Sequence, residues 1–308
     1  MHRLSPARIS EAARVIDPIF LNTPQMAFEP LSRELGADLV LKIETLNPIR
    51  SFKGRGTEFF VATLEDPAPL VAASAGNFGQ GLARAAVKRG RAVTIFAAEN
   101  ANPLKIARMR ELGAEVILIG HDFDAAKTEA RQFAARNGFR YVEDGREPAI
   151  SEGAGTIAME LGAFGTVLVP LGNGALINGI GTWMRHAHPA TRIIGVCAAG
   201  APAMQLSWQT GTIHATETAD TFADGIAVRL PVAEALEDMR STVDDILTVT
   251  DDHIRHAMRL LLSHTGLVVE PAGAAGVAAL LAFPARFAGQ SLATILCGSN
   301  AIGFPPDV

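Results

Sequence analysis

The sequence predicts an α/β protein built from two open, twisted and mostly parallel sheets, each flanked by helices. Apolar runs with strand patterning alternate with runs of helical spacing along nearly the whole chain, and the turns between them are short. Such alternation is typical of parallel sheets covered by helices on both faces. It falls into two series, so we expect a smaller lobe at residues 50–145 and a larger lobe at residues 1–49 and 146–308.

The first series starts with a helix near residues 5–16, where Ile9, Ala12 and Ile16 recur at helical spacing. Several prolines then predict irregular structure up to about residue 30. After it, the pattern predicts strands at residues 38–44, 70–73, 92–97 and 115–119. It also predicts helices at residues 53–64, 77–90, 103–113 and 122–137.

The second series begins near Glu147 and Pro148. Buried apolar runs predict strands at residues 166–171, 192–197, 245–249 and 291–296. Helical spacing predicts helices at residues 152–161, 176–186, 201–209, 251–265 and 272–283. The last of these helices is rich in small residues, which suits close packing against its neighbours.

Composition and charge exclude several classes of function. Of the 308 residues, 48% are hydrophobic and 19% are charged, as in a compact globular protein. The formal charge of −5, without a basic stripe, predicts no nucleic-acid partner. The chain has no signal-peptide pattern and no uninterrupted membrane-spanning run. Cys197 and Cys297 lack metal or redox spacing, so we expect free thiols in a cytoplasmic protein.

A single lysine, Lys53, stands where a turn meets a predicted helix, in the stretch Asn47-Pro-Ile-Arg-Ser-Phe-Lys-Gly-Arg-Gly56. Ser51 is a candidate cap of that helix. The unpaired N–H groups of a first helical turn disfavour positive charge, which suits a nucleophilic amine. Taken alone, Lys53 is better interpreted as an ordinary surface lysine, because most lysines are solvated and take no part in chemistry.

Two glycine-rich turns follow strands and open helices, where open α/β sheets bind ligands. In Ser74-Ala-Gly-Asn-Phe78, the backbone N–H groups and the Asn77 amide could hold a carboxylate. In Gly172-Asn-Gly-Ala-Leu176, small residues let N–H groups approach a phosphate. The second turn fits neither the dinucleotide nor the Walker A pattern. Each turn is also explicable by packing alone.

Other chemistries find little support in the sequence. The turn Cys297-Gly-Ser-Asn300 follows the last predicted strand, where a cysteine is usually part of the core. The eight histidines form no HExxH motif or carboxylate-rich cluster, so we predict no metal site. A serine hydrolase is unsupported because the Gly-x-Ser-x-Gly elbow is absent.

Taken together and in order, these motifs resemble those of fold-type II pyridoxal-phosphate enzymes, in the threonine/serine dehydratase and serine racemase branch of the tryptophan synthase beta-like superfamily. The resemblance covers nearly the whole chain, and also includes residues 221–228 and 269–274. It implies that pyridoxal 5′-phosphate lies in the cleft between the lobes and that Lys53 carries it as a Schiff base. It also implies cofactor contacts from Phe52, Lys53, Asn77, Gly172, Asn173, Gly174, Ala175, Leu176, Glu270 and Cys297, and substrate contacts from Ser74, Ala75, Gly76, Asn77 and Phe78.

The chain departs from the family pattern at several positions. Asn173 and Ala175 replace two glycines of the phosphate loop, and Phe78 stands where histidine is frequent. Ala75 occupies the place where serine racemases carry a serine that protonates the opposite face of the substrate. Cys197 and Ala203 fall where some relatives bind a divalent cation through carboxylates, so no such metal is predicted.

The resemblance implies an ammonia-lyase that removes water and ammonia from a β-hydroxy amino acid such as threonine or serine, giving a 2-oxo acid. Its small-molecule partner would be the amino acid, and the family is typically homodimeric. The alternatives are a racemase, a β-replacement or threonine-synthase-like enzyme, and a catalytically idle protein that binds the cofactor or an amino acid.

Overall fold

A computed structural model describes residues 2–301 and contains the two predicted sheets. The larger sheet has six strands in the order β1-β2-β10-β7-β8-β9. All neighbours in it are parallel except β1, which pairs antiparallel with β2. Its strands are β1 Gln25–Ala27, β2 Asp38–Ile43, β7 Thr166–Pro170, β8 Arg192–Ala198, β9 Asp245–Val249 and β10 Ser291–Leu296.

The smaller sheet has four parallel strands in the order β5-β4-β3-β6. These strands are β3 Leu70–Ala73, β4 Val93–Ala97, β5 Glu115–Leu118 and β6 Arg140–Tyr141. All four come from the interval between residues 70 and 141. We therefore propose the boundaries 50–145 for the smaller lobe, with the rest of the chain forming the larger lobe.

Thirteen α-helices cover the sheets within the described part of the chain. Those of the first half are α1 Pro6–Val15, α2 Glu29–Leu35, α3 Lys53–Thr63, α4 Asn77–Lys88, α5 Pro103–Glu111, α6 Phe123–Asn137 and α7 Pro148–Leu161. Those of the second half are α8 Ala175–Ala187, α9 Ala203–Thr210, α10 Ala233–Met239, α11 Asp251–Thr265, α12 Pro271–Ala282 and α13 Pro284–Phe287. No helix among residues 2–301 is both long and apolar enough to cross a membrane.

Each sheet has its own apolar core. In the larger lobe, strands β7, β8 and β10 are buried almost throughout, and α12 packs its small residues against β7 and β10. In the smaller lobe, Leu70, Leu82 and Ile95 belong to a separate buried cluster. Strands buried on both faces read as continuous apolar runs, which is why the sequence revealed them clearly.

Most predicted elements are confirmed, and the exceptions have local causes. Strands β3, β9 and β10 and helix α11 have the predicted limits. The stretch predicted as irregular contains β1 and the first residues of α2; Pro30 lies in the first turn of α2, where no backbone N–H is needed. Strand β6 and helix α10 were not predicted because both are too short for a periodic signal. Helix α7 begins at Pro148, four residues before the predicted start. As in α2, the proline lies in the first helical turn, where its missing N–H is not needed.

Candidate active site

Lys53 is the first residue of α3, and its amine points into a cavity between the two sheets' carboxyl ends. The Lys53 Nζ lies 2.5 Å from Asp144 Oδ2 and 4.6 Å from the centre of the Phe52 ring. The Lys53 side chain is 16% exposed, so the amine is neither on the open surface nor sealed in the core. Sequence reasoning did not anticipate the ion pair with Asp144.

The turn before α3 is tied to the end of β10. The Ser51 hydroxyl and the Phe52 N–H both donate to the Cys297 carbonyl, each at 3.1 Å. Ser51 was predicted to cap α3, but the cap position is occupied by Phe52. The Ser51 hydroxyl oxygen accepts only a long hydrogen bond, 3.4 Å, from the Lys53 N–H. Ser51 therefore serves mainly to hold Lys53 beside Cys297.

Glycines allow α3 to pack unusually close to its neighbours. A Cβ at Gly153 of α7 would lie 2.6 Å from the Arg55 carbonyl oxygen, and one at Gly81 of α4 would lie 2.7 Å from Thr57 Oγ1. Both distances are shorter than side chains tolerate. Close packing on two sides thus fixes the direction in which Lys53 leaves the helix.

The turn after β3 is held by its own serine. Ser74 Oγ accepts hydrogen bonds from the N–H groups of Gly76, at 3.2 Å, and Gly79, at 2.9 Å. This arrangement keeps the first turn of α4 open toward the cavity, with Asn77 as its first helical residue.

Asn77 is fixed by two buried partners from the larger lobe. Its amide nitrogen donates to Glu270 Oε1 at 2.7 Å, and its oxygen accepts from Asn300 Nδ2 at 2.9 Å. Burial raises the pKa of Glu270, and the nearby Lys105 charge opposes that rise. Gly298 lies against this group, leaving no space for a side chain. The three residues orient the Asn77 amide across the cleft.

The turn between β7 and α8 has the features of an anion site. Gly174, at the cap position of α8, has φ of 92°, a conformation that favours glycine. No side chain of the described residues caps this helix, so the N–H groups of its first turn are available to a ligand. A Cβ at Gly172 would lie 2.5 Å from the Gly225 carbonyl oxygen, which explains the second glycine.

Cys297 closes the cavity from the side of β10. It is a buried free thiol, and burial raises its pKa well above the usual range. The group therefore stays protonated and uncharged at neutral pH. Cys197 is likewise a buried free thiol, but it does not line this cavity.

One cavity of about 500 Å³ brings the predicted residues together. Its size is typical of small-molecule sites. Its lining includes all the residues that the sequence singled out, namely Phe52, Lys53, Ser74, Ala75, Gly76, Asn77, Phe78, Gly172, Asn173, Gly174, Ala175, Leu176, Glu270 and Cys297. It also includes charged residues that sequence reasoning missed, among them Lys105, Asp122, Asp124, Lys127, Asp144, Asp224 and Arg229.

The missed residues carried little local signal. Asp224 lies within the segment 221–228, and the similarity of that segment to dehydratases is a signal that points to it. Lys105 and Lys127 lie on ordinary helices, and Asp144 follows the two-residue strand β6. Their position at the cavity depends on how helices α5 and α6 pack, which periodicity does not reveal.

Comparison with known proteins identifies relatives of the whole fold. The L-threonine ammonia-lyase of Geobacter sulfurreducens is 39% identical over 81% of this chain, and the match spans 64% of that relative's length. The L-threonine ammonia-lyase of Thermotoga maritima is 36% identical over 95% of this chain and 74% of its own. The crystal structure of T.th. threonine deaminase superposes with a TM-score of 0.92 at 34% identity, over 98% of this chain and all of that one.

A family model described as pyridoxal-phosphate dependent enzyme matches residues 16–298. The match covers both sheets and every turn that lines the cavity. It also agrees with the anion site before α8 and with the lysine at the start of α3. The chain therefore belongs to the family of pyridoxal-phosphate dependent enzymes.

Proposed function

We propose that this protein is a lyase of the threonine/serine ammonia-lyase type, which removes water and ammonia from a β-hydroxy amino acid to give a 2-oxo acid. The observation that carries the proposal is the meeting of Lys53, the 74–78 turn and the 172–176 turn at one cavity. The threonine ammonia-lyase and threonine deaminase names of the relatives favour the same activity.

The residues of the cavity fit pyridoxal phosphate. The uncapped start of α8 offers N–H groups to a phosphate, and Lys53 offers an amine to an aldehyde. We propose that the cofactor is held by Phe52, Lys53, Asn77, Gly172, Asn173, Gly174, Ala175, Leu176, Glu270 and Cys297. When bound, pyridoxal phosphate supplies an aldehyde that captures amines and a ring that accepts negative charge from the substrate.

Lys53 has two roles in this proposal. Its Nζ is the amine that would hold the cofactor, and it is the base that would take the proton from the substrate Cα. Cys297 would help to hold the cofactor with a buried, uncharged thiol at the β10 side of the cavity. Because this thiol is uncharged, it would place no negative charge beside the bound cofactor.

The substrate carboxylate is assigned to the turn formed by Ser74, Ala75, Gly76, Asn77 and Phe78. Ser74 fixes the backbone of this turn, because its hydroxyl oxygen accepts hydrogen bonds from the N–H groups of Gly76 and Gly79. The Asn77 amide is oriented by Glu270 and Asn300 before any ligand arrives. A site organised in advance loses little entropy on binding.

The test uses the protein purified with pyridoxal phosphate. We expect a visible absorbance band of the bound cofactor, and 2-oxo acid and ammonia from L-threonine or L-serine. Lys53→Ala should lose the band and lower turnover by roughly 1,000-fold or more. Lys88→Ala, at an exposed lysine on α4, is the matched control and should retain both. A protein that takes up the cofactor but produces no 2-oxo acid from any hydroxy amino acid contradicts the proposal.

A racemase is the second candidate. Solved structures at 25% identity include maize serine racemase, with a TM-score of 0.91. Ala75 argues against racemisation, because it brings no hydroxyl to the face of the substrate opposite Lys53. Chiral analysis of the same reactions separates the two: D-amino acid without 2-oxo acid would favour the racemase.

We further propose a cytoplasmic homodimer. Light scattering of the purified protein tests the dimer, and fractionation of cells tests the location. A monomer at micromolar concentration would contradict the first part.

A further inference from the structure

Asp144 is the carboxylate nearest to the reactive amine, and the proposed function gives it no role. Its Oδ2 accepts from Lys53 Nζ at 2.5 Å. Its Oδ1 is buried and has no hydrogen-bond partner among the described residues. The residue as a whole is 7% exposed. A buried carboxylate with one oxygen unpaired is costly, so the Lys53 ammonium is its main compensation.

The backbone around Asp144 is held from both sides. On one side, the Glu143 carboxylate is bound by Lys127 and, at 2.7 Å, by Arg131. On the other, Gly145 has φ of 83° and lies against the Asn173 carbonyl, so closely that a Cβ there would overlap it. Asp144 is thus anchored between helix α6 and the turn before α8. These neighbours fix the backbone of Asp144 and so determine where its carboxylate lies.

The other cations of the cavity wall have partners of their own. Lys105 pairs with Asp224, and Lys127 pairs with Glu143. Arg229 binds Asp124 through its Nε at 2.6 Å. The pairing therefore leaves Lys53 and Asp144 matched to each other. The contact between Lys53 and Asp144 is therefore a specific pair and not the result of a general excess of charge in the cavity.

We propose that Asp144 is a positioning residue that acts through Lys53. It holds Nζ at the cavity wall and balances the positive charge that Nζ acquires on taking the substrate Cα proton. In that step the Cα–H bond breaks, its electron pair remains on the substrate, and a new N–H bond forms on Nζ. The resulting Lys53 ammonium can then form the ion pair with Asp144 Oδ2 that the structure shows. The expected effect of Asp144 on turnover rests on the proposed function, whereas its hold on Lys53 Nζ does not.

The first measurement does not depend on activity. Cofactor-free protein is treated with a small amine-acylating reagent near pH 7.5, and modification of Lys53 is followed by peptide mass spectrometry. In Asp144→Asn the Lys53 Nζ loses the carboxylate that holds it at the cavity wall, so we expect acylation of Lys53 to be at least about threefold faster. Lys88 in the same sample is the internal standard. Glu147→Gln, which removes a carboxylate paired with Arg140 outside the cavity, is the matched control variant.

The second measurement is steady-state kinetics of the cofactor-loaded enzyme. We expect Asp144→Asn to lower kcat by about 10- to 100-fold with KM changed less than about threefold, because the partner acts in proton transfer. Asp144→Glu should restore part of kcat, which a purely structural role would not predict. If Asp144→Asn fails to fold, Asp144→Ser is measured in the same way.

Acylation of Lys53 at the wild-type rate in Asp144→Asn would overturn the inference, and so would an unchanged kcat. A wild-type enzyme without turnover would refute the proposed function instead, and the acylation experiment would still decide the role of Asp144.

Discussion

Replacing Arg55 with methionine tests how α3, and with it Lys53, is held in the fold. Arg55 is completely buried two residues after Lys53. Its guanidinium binds Glu44 through two nitrogens, at 2.8 and 2.9 Å, and Glu160 through two more contacts, at 2.6 and 2.9 Å. Lys42 adds a second cation to Glu160 at 2.5 Å. The group joins β2, α3 and α7.

The loss of unfolding free energy in Arg55→Met depends on which partners Glu44 and Glu160 keep. Methionine fills much of the volume but leaves the Glu44 and Glu160 carboxylates without the guanidinium. Breaking a buried ion pair from one side costs about 3–5 kcal/mol. Glu160 keeps Lys42, and Glu44 keeps a hydrogen bond from Thr23 at 2.5 Å. We therefore expect the lower end, about 3 kcal/mol of unfolding free energy at pH 7.

The effect should depend on pH with a definite sign. Burial raises the pKa of Glu160, but hydrogen bonds from Arg55 and Lys42 outweigh it, and the pKa is lowered overall. A carboxyl group whose pKa is lower in the folded state stabilises the protein at pH values above its unfolded-state pKa. That stability is lost as the pH falls through the folded-state pKa. Arg55→Met removes part of this contribution. The difference between the two proteins should therefore stay constant from pH 7 down to about 4.5, the unfolded pKa of Glu160, and shrink below that pH.

Urea unfolding of the cofactor-free proteins measures both quantities, since ligand linkage is then absent. Arg8→Met is the control, because Arg8 is 39% exposed and its ion pair with Glu152 is long, 3.4 Å. We expect it to cost less than about 1 kcal/mol. An Arg55→Met protein within about 1 kcal/mol of wild type at pH 7 would refute this account of the buried network.

Two further predictions concern other parts of the molecule. Gly298→Ala would drive a Cβ into Glu270 Oε1. We therefore expect cofactor affinity, measured by absorbance titration, to fall at least about tenfold, and unfolding free energy, measured by urea unfolding, to fall by about 1–3 kcal/mol. Unchanged affinity would contradict the packing argument. Burial raises the pKa of Asp238 to about 6, so its contribution to stability is greatest at low pH and declines as pH rises from about 4 to 6. Asp238→Asn should remove about 1–2 kcal/mol of that decline, and identical pH profiles would contradict the assignment.

Local sequence predicted the elements that form the candidate site and the residues at their ends. Strand β3 and the turn at Ser74 could be read from an apolar run followed by small residues and an asparagine. Lys53 could be placed at the start of α3 because Asn47 and Pro48 end the preceding strand and a predicted helix follows them. Such features depend on near neighbours along the chain, so they are visible without a structure.

The contacts across the cleft were decided by tertiary structure alone. The pairing of Lys53 with Asp144 joins residues 91 positions apart, and that of Asn77 with Glu270 joins residues 193 apart. An aspartate after a two-residue strand has no periodic or motif signal. Which carboxylate meets which amine is set by the packing of whole helices and strands, because close packing admits few arrangements. The sequence therefore determined the fold class and the position of the lysine that we propose as catalytic, while the fold determined the charges that surround that lysine.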